Sequence, residues 1–254
     1  MINLFSKNFK LKDIEGIIFD KDGTLTNSSF YWSEIIKRRS HKITNDLGLS
    51  KESYYDLVKV MGLDISTNNL LPEGPIAIKS RNEVIKTIIF HLKSKNINIS
   101  KDYLETLFKE IHTNFSKESY KFIKPIVPAY KFVRLLKKFN VKLFLVTSDT
   151  KSNAEEAIRV LKLRNCFDYV IGGDSGFGDK KTGASCEFIC TKFNLNKKKV
   201  ICIGDAPVDN EMAINGKLKS SILVESGQIE LKLLSKFSNS CVSDLSEISI
   251  ELEN

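Results

Sequence analysis

Asp20 and Asp22 stand two residues apart at the end of the apolar run Gly16-Ile17-Ile18-Phe19 and lead straight into Gly23-Thr24. Side chains two apart in an extended segment point the same way, so both carboxylates can face one reacting centre. The main-chain carbonyl of Asp22 can face a metal at the same time. Gly23 then lets the backbone turn sharply. Asp-x-Asp-Gly is also an ordinary turn, and what decides between turn and site is the set of residues that other segments bring to the same place.

The apolar run is short, β-branched and aromatic, with hydrophobic residues at consecutive positions, which predicts a buried strand of a parallel sheet. In open α/β sheets chemistry gathers at the carboxyl ends of strands. From Ile126 onward helix and strand patterns alternate with short connections, as in a doubly wound domain. Phe132, Leu135, Leu136 and Phe139 share a helical face, and Val141 to Val146 is a strand ending in Thr147-Ser148-Asp149. Ser152-x-x-Glu155 reads as a capping box for the helix that follows. Asp168 to Ile171, Val200 to Ile203, Ser221 to Val224 and Cys241-Val242 are further strands, with a helix from about Ala184 to Phe193.

Residues 27–125 break this rhythm with helical stripes such as Tyr54, Leu57, Val58 and Met61, then Tyr103, Leu104, Leu107, Phe108 and Ile111. The expectation is an α/β fold, a doubly wound Rossmann-like parallel sheet of residues 1–26 and 126–254. An inserted α-helical domain of residues 27–125 follows its first strand.

With 254 residues and a net charge of +8, the chain can bury a sizeable core. Its lysines are dispersed, so neither a nucleic-acid surface nor a membrane partner is expected. No secretory pattern opens the sequence and no apolar stretch approaches the about 18 residues that span a bilayer. A soluble, cytoplasmic protein is expected, its oligomeric state open. The five cysteines lack metal-ligand spacing and read as reduced core residues.

The loops after the predicted strands supply Asp20 and Asp22, then Thr147 and Ser148, then Lys180 and Lys181, then Asp205 and Asp209. The ordered segments DKDGTLT (20–26), LVTSD (145–149), GDKKTG (178–183) and IGDAPVDN (203–210) resemble the haloacid dehalogenase superfamily of aspartate-nucleophile phosphatases. The position of the insertion is similar to the helical cap of its phosphoglycolate phosphatase and β-phosphoglucomutase branch.

The resemblance implies Mg²⁺ as cofactor and a small phosphorylated metabolite, phosphoglycolate-like, as substrate. Asp20 is implied to attack phosphorus and form an aspartyl-phosphate, and Asp22 to act as general acid and base. Asp205 is implied to ligate Mg²⁺ with Asp20 and the main-chain carbonyl of Asp22. Asp209 would hold a metal-bound water or orient the lysine. Thr147 and the Ser148 amide are implied phosphate ligands, and Thr24 a brace for the loop beneath the phosphate. Family members usually have Lys-Pro where this chain has Lys180-Lys181-Thr182, so either lysine can fill the role, with Lys180 favoured by the count back from Asp205. Lys21, between the carboxylates, is assigned no role.

Within the insertion, Arg38 or Arg39 and Ser80 or Arg81 are candidate contacts for a second anionic group, since arginine presents a bidentate fork. A β-phosphoglucomutase-type mutase shares these motifs, and a non-catalytic binding member of the fold is the alternative outside enzymology.

Overall fold

The computed structural model describes residues 1–71, 74–78 and 81–252. It divides into two compact units: Met1–Asn27 with Lys124–Asn254, and Ser28–Ile123.

The first unit is built on a six-stranded, wholly parallel sheet in the order Cys241–Val242, Ser220–Val224, Val200–Gly204, Gly16–Phe19, Lys142–Val146, Tyr169–Ile171. Every residue of Gly16–Phe19 and of Val200–Gly204 is buried, as strands covered on both faces require. On one face, Cys186, Ile189 and Cys190 of helix Ala184–Lys192 and Met212 and Ala213 of helix Pro207–Asn215 pack with Ile18, Phe144 and Cys202. Phe132, Val133 and Leu136 are the buried side of helix Val127–Lys138. All five cysteines are free thiols, four of them buried. The doubly wound expectation is borne out.

Gly16–Phe19 sits at the centre, with Phe19 opposite Leu145 on one side and Ile203 on the other. The chain fills one flank of this strand first and then crosses to the other. That reversal makes the ends of Gly16–Phe19 and Val200–Gly204 the switch point, where such sheets leave a crevice.

Two local readings are corrected. The helix after Lys142–Val146 spans Lys151–Val160 and is capped by Thr150, whose hydroxyl accepts from the Asn153 N–H at 3.2 Å. Ser152 lies inside it, so the Ser152–Glu155 box does not form, and Glu155 instead pairs at 4.0 Å with Lys151. The sequence pattern also missed a three-stranded antiparallel sheet in which Ile2–Phe5 runs between Lys10–Ile14 and Ser249–Leu252. Its Lys-Leu-Lys-Asp-Ile strand alternates weakly, and its outer partner comes from the other end of the chain.

The second unit packs helices Ser28–Asp46, Lys51–Val60, Arg81–Ser94 and Lys101–Ser116 around Ile36, Leu57, Val58, Met61, Ile85, Leu104 and Phe108. Ser50 and Ser100 cap the second and fourth of these through their hydroxyls. A short hairpin joins Leu63–Asp64 to Asn69–Leu70. Pro72, Glu73 and Ser80 lie outside the described residues.

The chain leaves and re-enters the first unit through hydrogen-bonded segments. Asn27 N–H donates to Lys124 O and Ile126 N–H to Leu25 O, each at 2.9 Å.

Candidate active site

Asp20 is the residue immediately after the central strand, and its N–H still joins the ladder by donating to Ile203 O at 2.9 Å. Its carboxylate is therefore fixed by the sheet itself. Asp205 follows Gly204 at the end of the neighbouring strand, and Asp209 occupies the first turn of helix Pro207–Asn215. Asp209 Oδ2 accepts from the Ala206 N–H at 3.1 Å, which seats the acid on the positive end of that helix.

Lys180 closes the group. Its Nζ lies 2.5 Å from Asp20 Oδ1 and 2.6 Å from Asp209 Oδ1, with the lysine side chain 4% exposed. Lys181, the next residue, is exposed and 3.7 Å from Asp179. The one-turn helix at Lys180–Thr182 turns these neighbours to opposite environments. Of the two candidate lysines, Lys180 is the one brought to the aspartates.

Carboxylate oxygens of Asp20, Asp205 and Asp209 all lie within 4.8 Å of one another. Three carboxyl groups, those of Asp20 and Asp209 buried and that of Asp205 half-buried, leave an excess of negative charge around one ammonium. Burial pushes Asp20 up to about 7 against the pull of Lys180. Burial, then the charges of Asp20 and Asp209, pushes Asp205 well above the usual carboxylate range. Burial alone would lower the Lys180 ammonium, but Asp20 and Asp209 outweigh it and hold it above its ordinary value. An oxygen-only donor set with surplus negative charge fits a hard divalent cation such as Mg²⁺.

Glycines shape the pocket of Asp205. A Cβ on Gly23, at φ +83°, would stand 2.3 Å from Asp205 Oδ2, and one on Gly227 would stand 1.9 Å from it. A side chain at either position would force Asp205 to move. Ser226 Oγ donates to Gly23 O at 2.8 Å and ties these two loops together. Thr24 is fully buried and its hydroxyl donates to Asp205 Oδ1 at 3.3 Å. The hydroxyl ties this loop to the acidic cluster.

Asp22 faces different partners. Lys21 Nζ lies 2.8 Å from Asp22 Oδ2 and 2.9 Å from Asp149 Oδ2, and Thr26 Oγ1 donates to Asp22 Oδ1 at 3.1 Å. Lys21, given no role by the sequence, is thus a buried bridge joining the first motif to the second. Burial works against its charge, and the two aspartates overcome that to raise it above its ordinary value. A lysine placed among apolar and acidic residues just after a buried strand was the signal available. Thr147 is buried and its Oγ1 accepts from the Asp149 N–H at 3.1 Å, while Ser148 is exposed.

The candidate residues of the helical unit separate clearly. Arg38 is committed to Glu34 at 2.7 Å and Glu118 at 2.6 Å. Arg39 is buried and lies with its guanidinium 3.7 Å over the Phe108 ring. Arg81 approaches the same ring at 5.8 Å and donates from Nη2 to Glu105 O at 3.1 Å. Burial and the charge of Arg81 pull Arg39 down to about 9. A desolvated cation–π contact contributes about 2 kcal/mol, less than the several kcal/mol that burying an ion costs.

Three aspartates and a buried lysine thus come together at the switch point of a doubly wound sheet. The sequence matches the haloacid dehalogenase-like hydrolases over residues 14–216, and the chain belongs to that family. It is 24% identical over 209 residues to a phosphoglycolate phosphatase of Aquifex aeolicus (strain VF5), covering 81% of this chain and 83% of that one. A crystal structure described as a predicted phosphoglycolate phosphatase from Haemophilus somnus 129pt superposes with a TM-score of 0.70 at 17% identity, over 93% of this chain and 96% of that one. A haloacid dehalogenase-like family hydrolase from Streptococcus pneumoniae gives 0.69 at 17%, over 93% and 97%. At such identities the structural likenesses speak for the fold alone.

Proposed function

We propose that this hydrolase is a Mg²⁺-dependent phosphatase acting on a small, phosphoglycolate-like phosphomonoester through an aspartyl-phosphate. The observation that carries this reading is the convergence of Asp20, Asp205 and Asp209 on one point with Lys180 between two of them.

Phosphoryl transfer needs in-line positioning and neutralisation of charge more than anything else. Asp20 is the nucleophile: its carboxylate oxygen bonds to phosphorus as the ester oxygen leaves. Asp22 gives that oxygen its proton, then takes one from the water that cleaves the acyl phosphate and regenerates Asp20. Asp20, Asp205, Asp209 and the main-chain carbonyl of Asp22 would hold Mg²⁺, which when bound supplies positive charge to the phosphoryl oxygens. Lys180 adds a fixed positive charge and keeps Asp20 and Asp209 apart. Thr147 and the Ser148 amide receive the remaining phosphoryl oxygens, beside a helix N-terminus. The inserted unit is the cap that selects the substrate.

The test is phosphate release from a panel of phosphomonoesters by the purified protein with Mg²⁺. Release is expected from small acidic esters, phosphoglycolate among the best, and chelation with EDTA should stop it. Absence of release across the panel would sink the reading, and isomerisation of sugar phosphates in place of release would move it to a mutase.

A further inference from the structure

Arg39 is 6% exposed, and its Nε has no hydrogen-bond partner. It makes no ion pair among the described residues. Its neighbour in sequence, Arg38, is paired with Glu34 and Glu118, so the same helix does place carboxylates beside an arginine elsewhere. The like charge of Arg81 acts on Arg39, and both guanidiniums lie against the Phe108 ring. Arg81 is exposed, and among the described residues it spends a single N–H on Glu105 O. Buried charges are as a rule paired, and a ring face recovers only part of what desolvation costs.

We propose that Arg39 and Arg81 form an oxyanion site within the helical unit, taking a carboxylate or phosphate group whose oxygens accept from both guanidinium forks. Arginine is suited to this because its planar donors match two oxygens at once. Arg39 supplies the desolvated, ring-stacked floor, and Arg81 the accessible rim. An anion there would turn the repulsion between the two guanidiniums into shared attraction, and would reverse the depression that burial and Arg81 impose on Arg39.

The side-chain Nε–H resonance of Arg39 in the ¹⁵N-labelled full chain tests this, assigned by its disappearance in Arg39→Lys. Inorganic phosphate should shift it saturably. In Arg81→Gln the same titration should be weaker by about tenfold or more, the loss of one charge-assisted hydrogen bond. Circular dichroism of both variants checks that they are folded. If phosphate, sulfate and acetate all leave the resonance unmoved, the site does not exist. Repeating the titration in Asp20→Asn with phosphoglycolate and ethyl phosphate then separates the sources. A response to phosphoglycolate at lower concentration than to phosphate assigns the anion to the second acidic group of a substrate, and an equal response to free phosphate assigns it to a separate ligand. Either supports the site. The readout needs no turnover, so an inactive enzyme and an unresponsive Arg39 are separate failures.

Discussion

In the sheet unit two buried lysines each lie between two carboxylates, Lys180 between Asp20 and Asp209 and Lys21 between Asp22 and Asp149. In the helical unit the buried Arg39 has no carboxylate partner among the described residues and lies on an aromatic ring, beside the like charge of a second arginine and the phenol of Tyr31. On the proposed function, the difference separates charge used to preorganise a reaction from charge left open for a ligand. Where the chemistry is fixed, both signs are built in, and the electrostatic cost of holding them is met during folding. Where recognition is the task, one sign is supplied from outside.

Substitutions sharpen or break that contrast. The largest effect is expected from Asp20→Asn, which should reduce phosphate release in a Mg²⁺ assay below detection with the fold retained. Residual release near the wild-type rate would remove Asp20 as nucleophile. Lys180→Met leaves the buried carboxylates uncompensated and should cost about 3–5 kcal/mol in urea unfolding, besides its loss of activity. Lys21→Met should cost less, about 1–3 kcal/mol, because Asp22 and Asp149 are partly exposed.

That third variant carries a pH signature. Burial alone would raise the Asp149 carboxyl, but Lys21 and the hydrogen bonds from Asn153 and Thr150 outweigh it and hold Asp149 below its usual range. Its contribution is therefore complete at neutral pH and lost as pH falls through the lowered value. Wild type and Lys21→Met should converge in stability in acid, and a constant gap would mean the lysine acts by packing alone.

Arg39→Met removes a buried charge that has no carboxylate partner among the described residues, so thermal melts should show anything from no change to a gain of about 1 kcal/mol. A loss as large as that of Lys180→Met would erase the contrast between the units. The smallest effect, within about 0.5 kcal/mol, is expected for Lys181→Met, since that side chain is exposed.

Much of the sheet was legible because its strands are buried on both faces and so read as unbroken apolar runs. Asp20 and Asp205 were legible because each directly follows such a run. Spacing favoured Lys180 over Lys181 but left both open, since one turn of 3₁₀ helix decides which of two adjacent side chains points inward. Lys21 was passed over because its partner Asp149 is remote in sequence and only folding brings them together. The same holds for Ser226, whose hydrogen bond to Gly23 spans most of the chain. The antiparallel sheet of the two ends was hidden for that reason too. Local patterns report burial, and they report poorly on which distant segment does the burying.

The paired exit and return at Leu25–Asn27 and Lys124–Ile126 also bears on how the protein reaches its folded state. The central strand must find Lys142–Val146 across the whole insertion, and closing a flexible loop costs about 0.6 kcal/mol more for each doubling of its length. Helices with a hydrophobic core of their own form from contacts close in sequence, and these are made quickly. Once they do, a long wandering excursion becomes a fixed body whose two ends lie one hydrogen bond apart. The strand that carries Asp20 then meets its neighbour as though the insertion were a tight turn.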